Sequence, residues 1–198
     1  AIDVNSGQRL WKVPPIETKG YQGGTLAICG TRVVFCTDTD IVCLDRAEGQ
    51  ESWRASNKVV MVSNGRVNGP AAMTGIAPAL VLSDEIVYVA DVITLKAFSL
   101  EDGEQLWTGK AYPNHFKASD LFLAAGIAWS GTLEGYDPLT GEVITTLTQE
   151  MTGPMVHDRC YRNRITEQYY IDTKTGGSDF LELASHTAID AIQPSTVM

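Results

Sequence analysis

AIDVNSGQRLW, residues 1–11, places an Asp third, a Gly seventh and a Trp eleventh. That order suits a strand, a tight turn and a second strand. Glycine takes the positive φ of a close hairpin with little steric cost. The Asp carboxylate can accept from N–H groups of the turn that follows it. The terminal Trp offers a large apolar area to a neighbouring unit. One such segment is a weak signal, because Asp and Gly are common in turns. The same spacing returns in CLDRAEGQESW (43–53), with Asp45, Gly49 and Trp53. AFSLEDGEQLW (97–107) keeps Gly103 and Trp107 and has Ser99 in the Asp place. GYDPLTGEVIT (135–145) keeps Asp137 and Gly141 but ends on Thr145. YIDTKTGGSDF (170–180) has Asp172, Gly176 and a closing Phe180.

The copies start at 1, 43, 97, 135 and 170. Apart from one longer step, their spacings lie near the period of about 40–50 residues that marks propeller blades. Two further strand-like runs precede the internal copies: TLAICG and RVVFCTD, then ALVLSD and IVYVAD, then DLFLAAG and IAWSG. These runs are rich in β-branched and aromatic residues and are bounded by Gly, Asp or Ser. No stretch has the apolar period of a three-turn amphipathic helix. Four short antiparallel strands per repeat make a propeller blade. The expectation is therefore an all-β propeller: a half-blade at 1–13, blades at about 24–55, 76–110, 118–149 and 157–184, and a tail at 185–198. That is about four and a half blades, read as part of a longer ring. The alternative is that the tail HTAIDAIQPSTVM returns to complete the first blade and closes a five-bladed ring.

The repeats resemble the tryptophan-docking motif of pyrroloquinoline-quinone (PQQ)-type β-propellers, a superfamily of quinoprotein dehydrogenases and BamB-type assembly scaffolds. Residues 118–143 and 157–170 are similar to segments of such propellers in planctomycete-type bacteria. There a His-x-Arg-Cys-Tyr-Arg stretch, a later Thr and Tyr, and a Gly followed by an acidic-Phe pair recur in order. Here these are His157, Arg159, Cys160, Tyr161, Arg162, Thr166, Tyr169, Gly176, Asp179 and Phe180. The continuation usual in that group is not recognisable after Leu183, which points to a truncated or divergent end. In the family the docking tryptophans are structural. The resemblance also implies an extracytoplasmic, periplasmic location.

Composition narrows the classes of function. With 24 Asp and Glu against 15 Lys and Arg the net charge is −9, and the cations are scattered except near Arg159–Arg164, which weighs against nucleic acid. No apolar run approaches the roughly 20 residues of a spanning helix. Cys29, Cys36, Cys43 and Cys160 form no C-x-x-C pair, so no zinc ribbon or dithiol site is signalled. Cys36 and Cys43 can face each other across a hairpin with Thr39 and Asp40 at its tip. The favoured reading is two buried small hydrophobes on neighbouring strands.

A quinoprotein dehydrogenase, as the family is known, needs calcium, a catalytic Asp and often adjacent cysteines over the quinone. No Cys-Cys pair occurs here and no loop presents an obvious calcium set. His157, Arg159, Cys160 and Arg162 form the one dense polar cluster. Strand alternation puts His157 and Arg159 on one face and Cys160 and Arg162 on the other. That favours arginines paired with an adjoining blade over a Cys-His nucleophile or a metal site. His115 and His186 stand alone in loop-like sequence. Residues 57–75 lengthen one step of the repeat and are read as a surface insertion or as a loop at the mouth of the ring. The first functional reading is a non-catalytic binding or scaffolding module with no cofactor. Its partners would be a protein, a glycan, further blades of the ring or another copy of the chain. The alternatives are part of a PQQ- and calcium-dependent dehydrogenase, or a glycan-binding or glycan-cleaving propeller.

Overall fold

The computed structural model describes residues 1–13, 25–37, 39–57, 78–91, 94–111, 120–130, 134–147, 164–174, 177–184 and 188–192. All regular structure among them is β. Blade I holds β1 (Ala27–Cys29), β2 (Arg32–Cys36), β3 (Asp40–Asp45) and β4 (Glu51–Ser56). Blade II holds β5 (Ala79–Leu82), β6 (Ile86–Ala90), β7 (Thr94–Ser99) and β8 (Gln105–Lys110). Blade III holds β9 (Leu121–Ala124), β10 (Ile127–Ser130), β11 (Glu134–Tyr136) and β12 (Val143–Thr146). Blade IV holds β13 (Arg164–Ile165), β14 (Tyr169–Lys174), β15 (Gly177–Glu182) and β16 (Ala188–Ile192). Each is a separate four-stranded antiparallel sheet in chain order. Ahead of them residues 1–13 form a hairpin pinned by an Ile2–Arg9 bridge.

Successive sheets stand face to face, because each junction holds its own apolar layer. Trp11 and Val13 of the hairpin lie against Val33, Phe35, Val42 and Leu44 of blade I. Val34, Cys36, Ile41, Cys43 and Trp53 of blade I meet Val87, Val89, Phe98 and Leu100 of blade II. Tyr88, Leu95 and Trp107 of blade II meet Leu121, Ala128 and Tyr136 of blade III. Ala124, Trp129 and Leu147 of blade III meet Tyr170 and Leu181 of blade IV. β1 approaches β5, and β5 approaches β9, so the first strands of successive blades are neighbours along the inner side. β4 and β8 show one deeply buried residue each, the Trp, and otherwise face water. This is the β-propeller arrangement: short sheets, buried on both faces by their neighbours, with exposed outer strands.

Two expectations need correction at the C-terminal end. The fifth copy, Asp172–Gly176–Phe180, does not fall on the corner between third and fourth strands, as the internal copies do. Asp172 pairs with Asp179 inside the β14–β15 ladder, and Phe180 pairs with Ile171 and Ile189. The equivalent corner follows Glu182, because Leu183 N–H donates to Gln168 O at 2.8 Å, as Arg46 N–H does to Thr31 O and Leu100 N–H to Glu85 O. The last blade therefore extends beyond 184, and β16 supplies its fourth strand. That use of Ala188–Ile192 removes them from any closure of the first blade.

The β9–β10 connection is a two-residue turn with φ of 52° at Ala125 and 71° at Gly126. Two positive φ angles fit the twist of a hairpin, but an alanine there is strained. Ala125→Gly is expected to stabilise the protein by about 1 kcal/mol in urea unfolding. The bond from Ala125 N–H to the Glu167 carboxylate Oε2, 2.8 Å, uses only the backbone of residue 125 and is kept.

Candidate functional site

The repeated residues assemble corners and plugs. At the first corner Asp3 Oδ1 accepts from Asn5 N–H, Ser6 N–H and Ser6 Oγ–H at 3.1, 2.7 and 2.8 Å. Asp45 Oδ1 accepts from Ala47 and Glu48 N–H at 2.8 and 2.9 Å. Asp137 Oδ1 accepts from Leu139 and Thr140 N–H at 2.9 and 2.8 Å. At the third corner Ser99 Oγ accepts from Asp102 N–H at 3.4 Å. Each corner closes with the glycine N–H donating to the Asp or Ser carbonyl. Gly7, Gly49, Gly103 and Gly141 all have φ between 69° and 79°.

Those bonds hold the carboxyls of Asp3 and Asp137 below the usual carboxylate range, through the Ser6 and Thr140 N–H groups first. A carboxyl depressed on folding contributes stability above its unfolded pKa, about 3.9. The contribution fades as pH falls through that value and then through the folded one. The urea midpoint is expected to drop between about pH 5 and pH 2. Asp137→Asn should flatten that drop and lower the midpoint near neutrality.

A bulge precedes each internal corner, between Cys43 and Leu44, Ala97 and Phe98, and Gly135 and Tyr136. Bulges re-aim the side chains that follow. Here the following residue is the eleventh of the motif, paired with a small first residue: Cys43 with Trp53, Ala97 with Trp107. Each indole then lies on the glycine of the next corner. A Cβ on Gly49 would overlap Trp11. One on Gly103 would sit 2.5 Å from Trp53 Cε3, and one on Gly141 2.6 Å from Trp107 Cδ2. Indole Nε1–H donates to the carbonyl three residues before that glycine: Trp11 to Arg46, Trp53 to Leu100 and Trp107 to Pro138, at 2.8, 2.9 and 2.9 Å. Trp53 and Trp107 are 8% exposed, while Trp11 is half-buried. Trp107 also stacks on Tyr136, with centroids 5.9 Å apart.

Junction III–IV is built otherwise. Thr145 replaces the indole. Trp129 fills the layer with Phe122, which meets Tyr170 edge-on at 6.4 Å. Sequence reasoning attached no role to Trp129 or Tyr170, because neither sits at the Asp, Gly or Trp place of the motif. Glu167, which reaches back to Ala125, was likewise unmarked.

His157, Arg159, Cys160 and Arg162 lie outside the described residues, as do His115, His186, Gly176 and nearly all of 57–75. Cys36 pairs with Ile41 and Cys43 with Val34, so the two thiols are diagonal and both are free. Burial pushes the Cys36 thiol up to about 12 and that of Cys43 to about 11. A thiol reagent at about pH 8 should leave both unlabelled in the folded protein and modify both in strong denaturant. Peptide mass mapping reads the result. Among the described residues, no group of three or more His, Cys, Asp and Glu could hold a metal ion. No described helix is long and apolar enough to cross a membrane.

Among the described residues, several large apolar side chains are exposed where the 1–13 hairpin meets blade I. Ile2, Leu10, Leu26 and Ile28 are exposed around a cavity of about 600 Å³ between the 1–13 hairpin and blade I. A more polar cleft of about 620 Å³ lies between blades I and II, lined by Arg32, Asp84, Glu85 and Glu101.

Residues 1–172 match the family model described as outer membrane protein assembly factor BamB. This chain belongs to that family. No curated protein matches it. Among solved structures, this BamB-family chain is similar to BamB from Moraxella catarrhalis, at 15% identity and a TM-score of 0.51, over 84% of this chain and 48% of that one. It is similar to the quinohemoprotein alcohol dehydrogenase from Comamonas testosteroni, at 15% identity and a TM-score of 0.58, over 97% and 40%. It is also similar to U3-55K, at 11% identity and a TM-score of 0.55, over 84% and 50%. The chain thus spans half or less of the length of these structures. At such identities the likeness is one of fold, and it does not choose between BamB and the dehydrogenase.

Proposed function

We propose that this BamB-family propeller is a non-catalytic binding or scaffolding module that engages a protein partner outside the cytoplasm. The observation that carries the reading is the use of the recurring polar and aromatic groups. The Asp3, Asp45 and Asp137 carboxylates bond turn N–H groups, and the three docking indoles bond the next unit. The motif residues thereby hold blades, and among the described residues Ile2, Leu10, Leu26 and Ile28 are exposed. The family description, an assembly factor, accords with such a role. The planctomycete-type subgroup remains part of the proposal, on the order of residues His157 to Phe180. So does the pairing of Arg159 and Arg162 with acidic groups of an adjoining blade. The test is to add PQQ and calcium to the purified protein. The expected result is no bound-quinone absorbance band and no dye-linked alcohol or sugar oxidation. Turnover would overturn the reading in favour of the dehydrogenase. Glycan-array binding would replace the protein partner by a sugar.

A further inference from the structure

The corner end of blade II carries charge that its neighbours lack. In a blade, the turn between the first two strands lies at the same end as the glycine corner, because Arg46 N–H bonds Thr31 O and Leu100 N–H bonds Glu85 O. That turn is Gly30–Thr31 in blade I and Ala125–Gly126 in blade III, but Asp84–Glu85 in blade II. Two residues before the glycine, the three corners carry Ala47, Glu101 and Leu139 in order. The fold does not ask for these acids. Ser99 supplies the turn bond of the blade II corner, and Leu100 O takes the Trp53 proton.

Asp84, Glu85 and Glu101 line the cleft of about 620 Å³, which crosses this end from the β1–β2 turn to the corner of blade III. All three are exposed. Among the described residues no cation pairs with them, and Asp84 Oδ1 takes the Cys29 thiol proton at 3.5 Å. Arg32, on the facing wall, donates to Ser52 Oγ at 2.6 Å instead. Ile86 and Leu100 are buried at the base of the cleft. Leu106 and Leu139 border it, 44% and 66% exposed. Unneutralised like charges above an apolar base hold a negative potential that draws cations.

We infer that this cleft docks a short extended segment of a separate protein, with Lys or Arg side chains set between branched apolar ones. The cations meet Asp84, Glu85 and Glu101, and the apolar side chains cover Leu106 and Leu139. Charge complementarity selects this occupant. A second copy, at a net charge of −9, would bring mostly like charge. The cleft lies between internal blades. Every connection at this end of blades I–III is a described turn: residues 30–31, 46–50, 84–85, 100–104, 125–126 and 138–142. The chain leaves blade I at Asn57 and enters blade II at Pro78, both at the opposite end. The proposal rests on the binding-module reading and names its surface.

The probe is a fluorescent peptide in which arginine and lysine alternate with leucine. Anisotropy with the whole protein is expected to show saturable binding that weakens as salt rises. Glu85→Lys with Glu101→Lys should weaken it by about tenfold or more. Glu48→Lys with Glu142→Lys makes the same change in net charge at exposed sites outside the cleft, and should weaken it by less than about threefold. Leu106→Ser with Leu139→Ser should weaken it without any change in charge. All these sites are exposed, so the fold should survive, as a thermal melt will show. If the cleft lysines unfold the protein, Glu85→Gln with Glu101→Gln serves as the second variant. Bound peptide should also slow labelling of the Cys29 thiol, which lines the cleft. No saturation, equal losses in the two lysine pairs, equal binding of a peptide with glutamate in place of its cations, or unchanged Cys29 labelling overturns the proposal. Free arginine that binds as tightly as the peptide overturns it in favour of a small cation. Self-association lost in the Glu85→Lys and Glu101→Lys variant overturns it in favour of a second copy. Quinone-dependent turnover by the same preparation would defeat the scaffold reading alone, without touching the peptide result.

Discussion

Gly103→Ala is expected to destabilise the protein by about 3 kcal/mol, although it adds a single methyl group. Two costs combine. The φ of 79° is a left-handed conformation, in which an L side chain costs about 1–2 kcal/mol. The new Cβ would also enter the Trp53 ring, 2.5 Å from Cε3. That ring cannot withdraw freely, because its N–H is bonded to Leu100 O at 2.9 Å. Gly30→Ala is the internal control. Its φ is 52° and nothing lies within 4 Å of the added atom. It should cost about 1 kcal/mol, from strain alone. The cycle with Trp53→Ala separates the two terms. Once the indole is gone, Gly103→Ala should cost no more than Gly30→Ala, a coupling of about 2 kcal/mol. Equal costs for Gly103→Ala and Gly30→Ala in the wild-type background would show that the indole does not rest on the corner.

Trp107→Ala is expected to have the largest effect of any single substitution, about 4 kcal/mol. The side chain is 8% exposed, covers Gly141, and lies between Tyr88 and Tyr136 with centroids 6.0 and 5.9 Å away. Its loss leaves a cavity in the layer joining blades II and III, and rigid β ladders on both sides cannot collapse into it. Trp107→Phe should cost about 1–2 kcal/mol, mainly the bond to Pro138 O, which Tyr88 OH also approaches at 3.5 Å. Trp11→Ala should cost less than either Trp53→Ala or Trp107→Ala, because the hairpin covers only half of that junction. In a repeat protein a weakened junction also reduces coupling between neighbours. The urea transition of Trp107→Ala should therefore broaden, with a lower m-value than wild type.

The corners were legible because their chemistry is local. An Asp, a Gly four residues on and a Trp four beyond that define one hairpin without reference to the rest of the chain. The apolar layers followed from the strand-like runs before each corner. The last blade was misread for a physical reason. Its corner, after Glu182, has neither Asp nor Gly, and the Asp172–Gly176 spacing fell by accident on the neighbouring hairpin. Junction III–IV explains why that corner could drift. Thr145 carries no ring to dock, so the facing corner has no indole to accommodate with a glycine. Strand β16 was passed over because AIDAI has little intrinsic strand character. Its partner β15 decides its state. The bulge that aims each Trp leaves no mark in single-sequence periodicity. The His157–Arg162 cluster lies outside the described residues.

The sharpest test of the blade-to-blade plug is the hydrogen exchange of individual indole N–H protons, followed by NMR in the folded protein. If Trp53 and Trp107 bridge to Leu100 O and Pro138 O of the next blade, their Nε1–H signals will persist for as long as the core amides of β3 and β7. Exchange at the rate of free indole, while those amides stay protected, would mean that the blades are joined by something else.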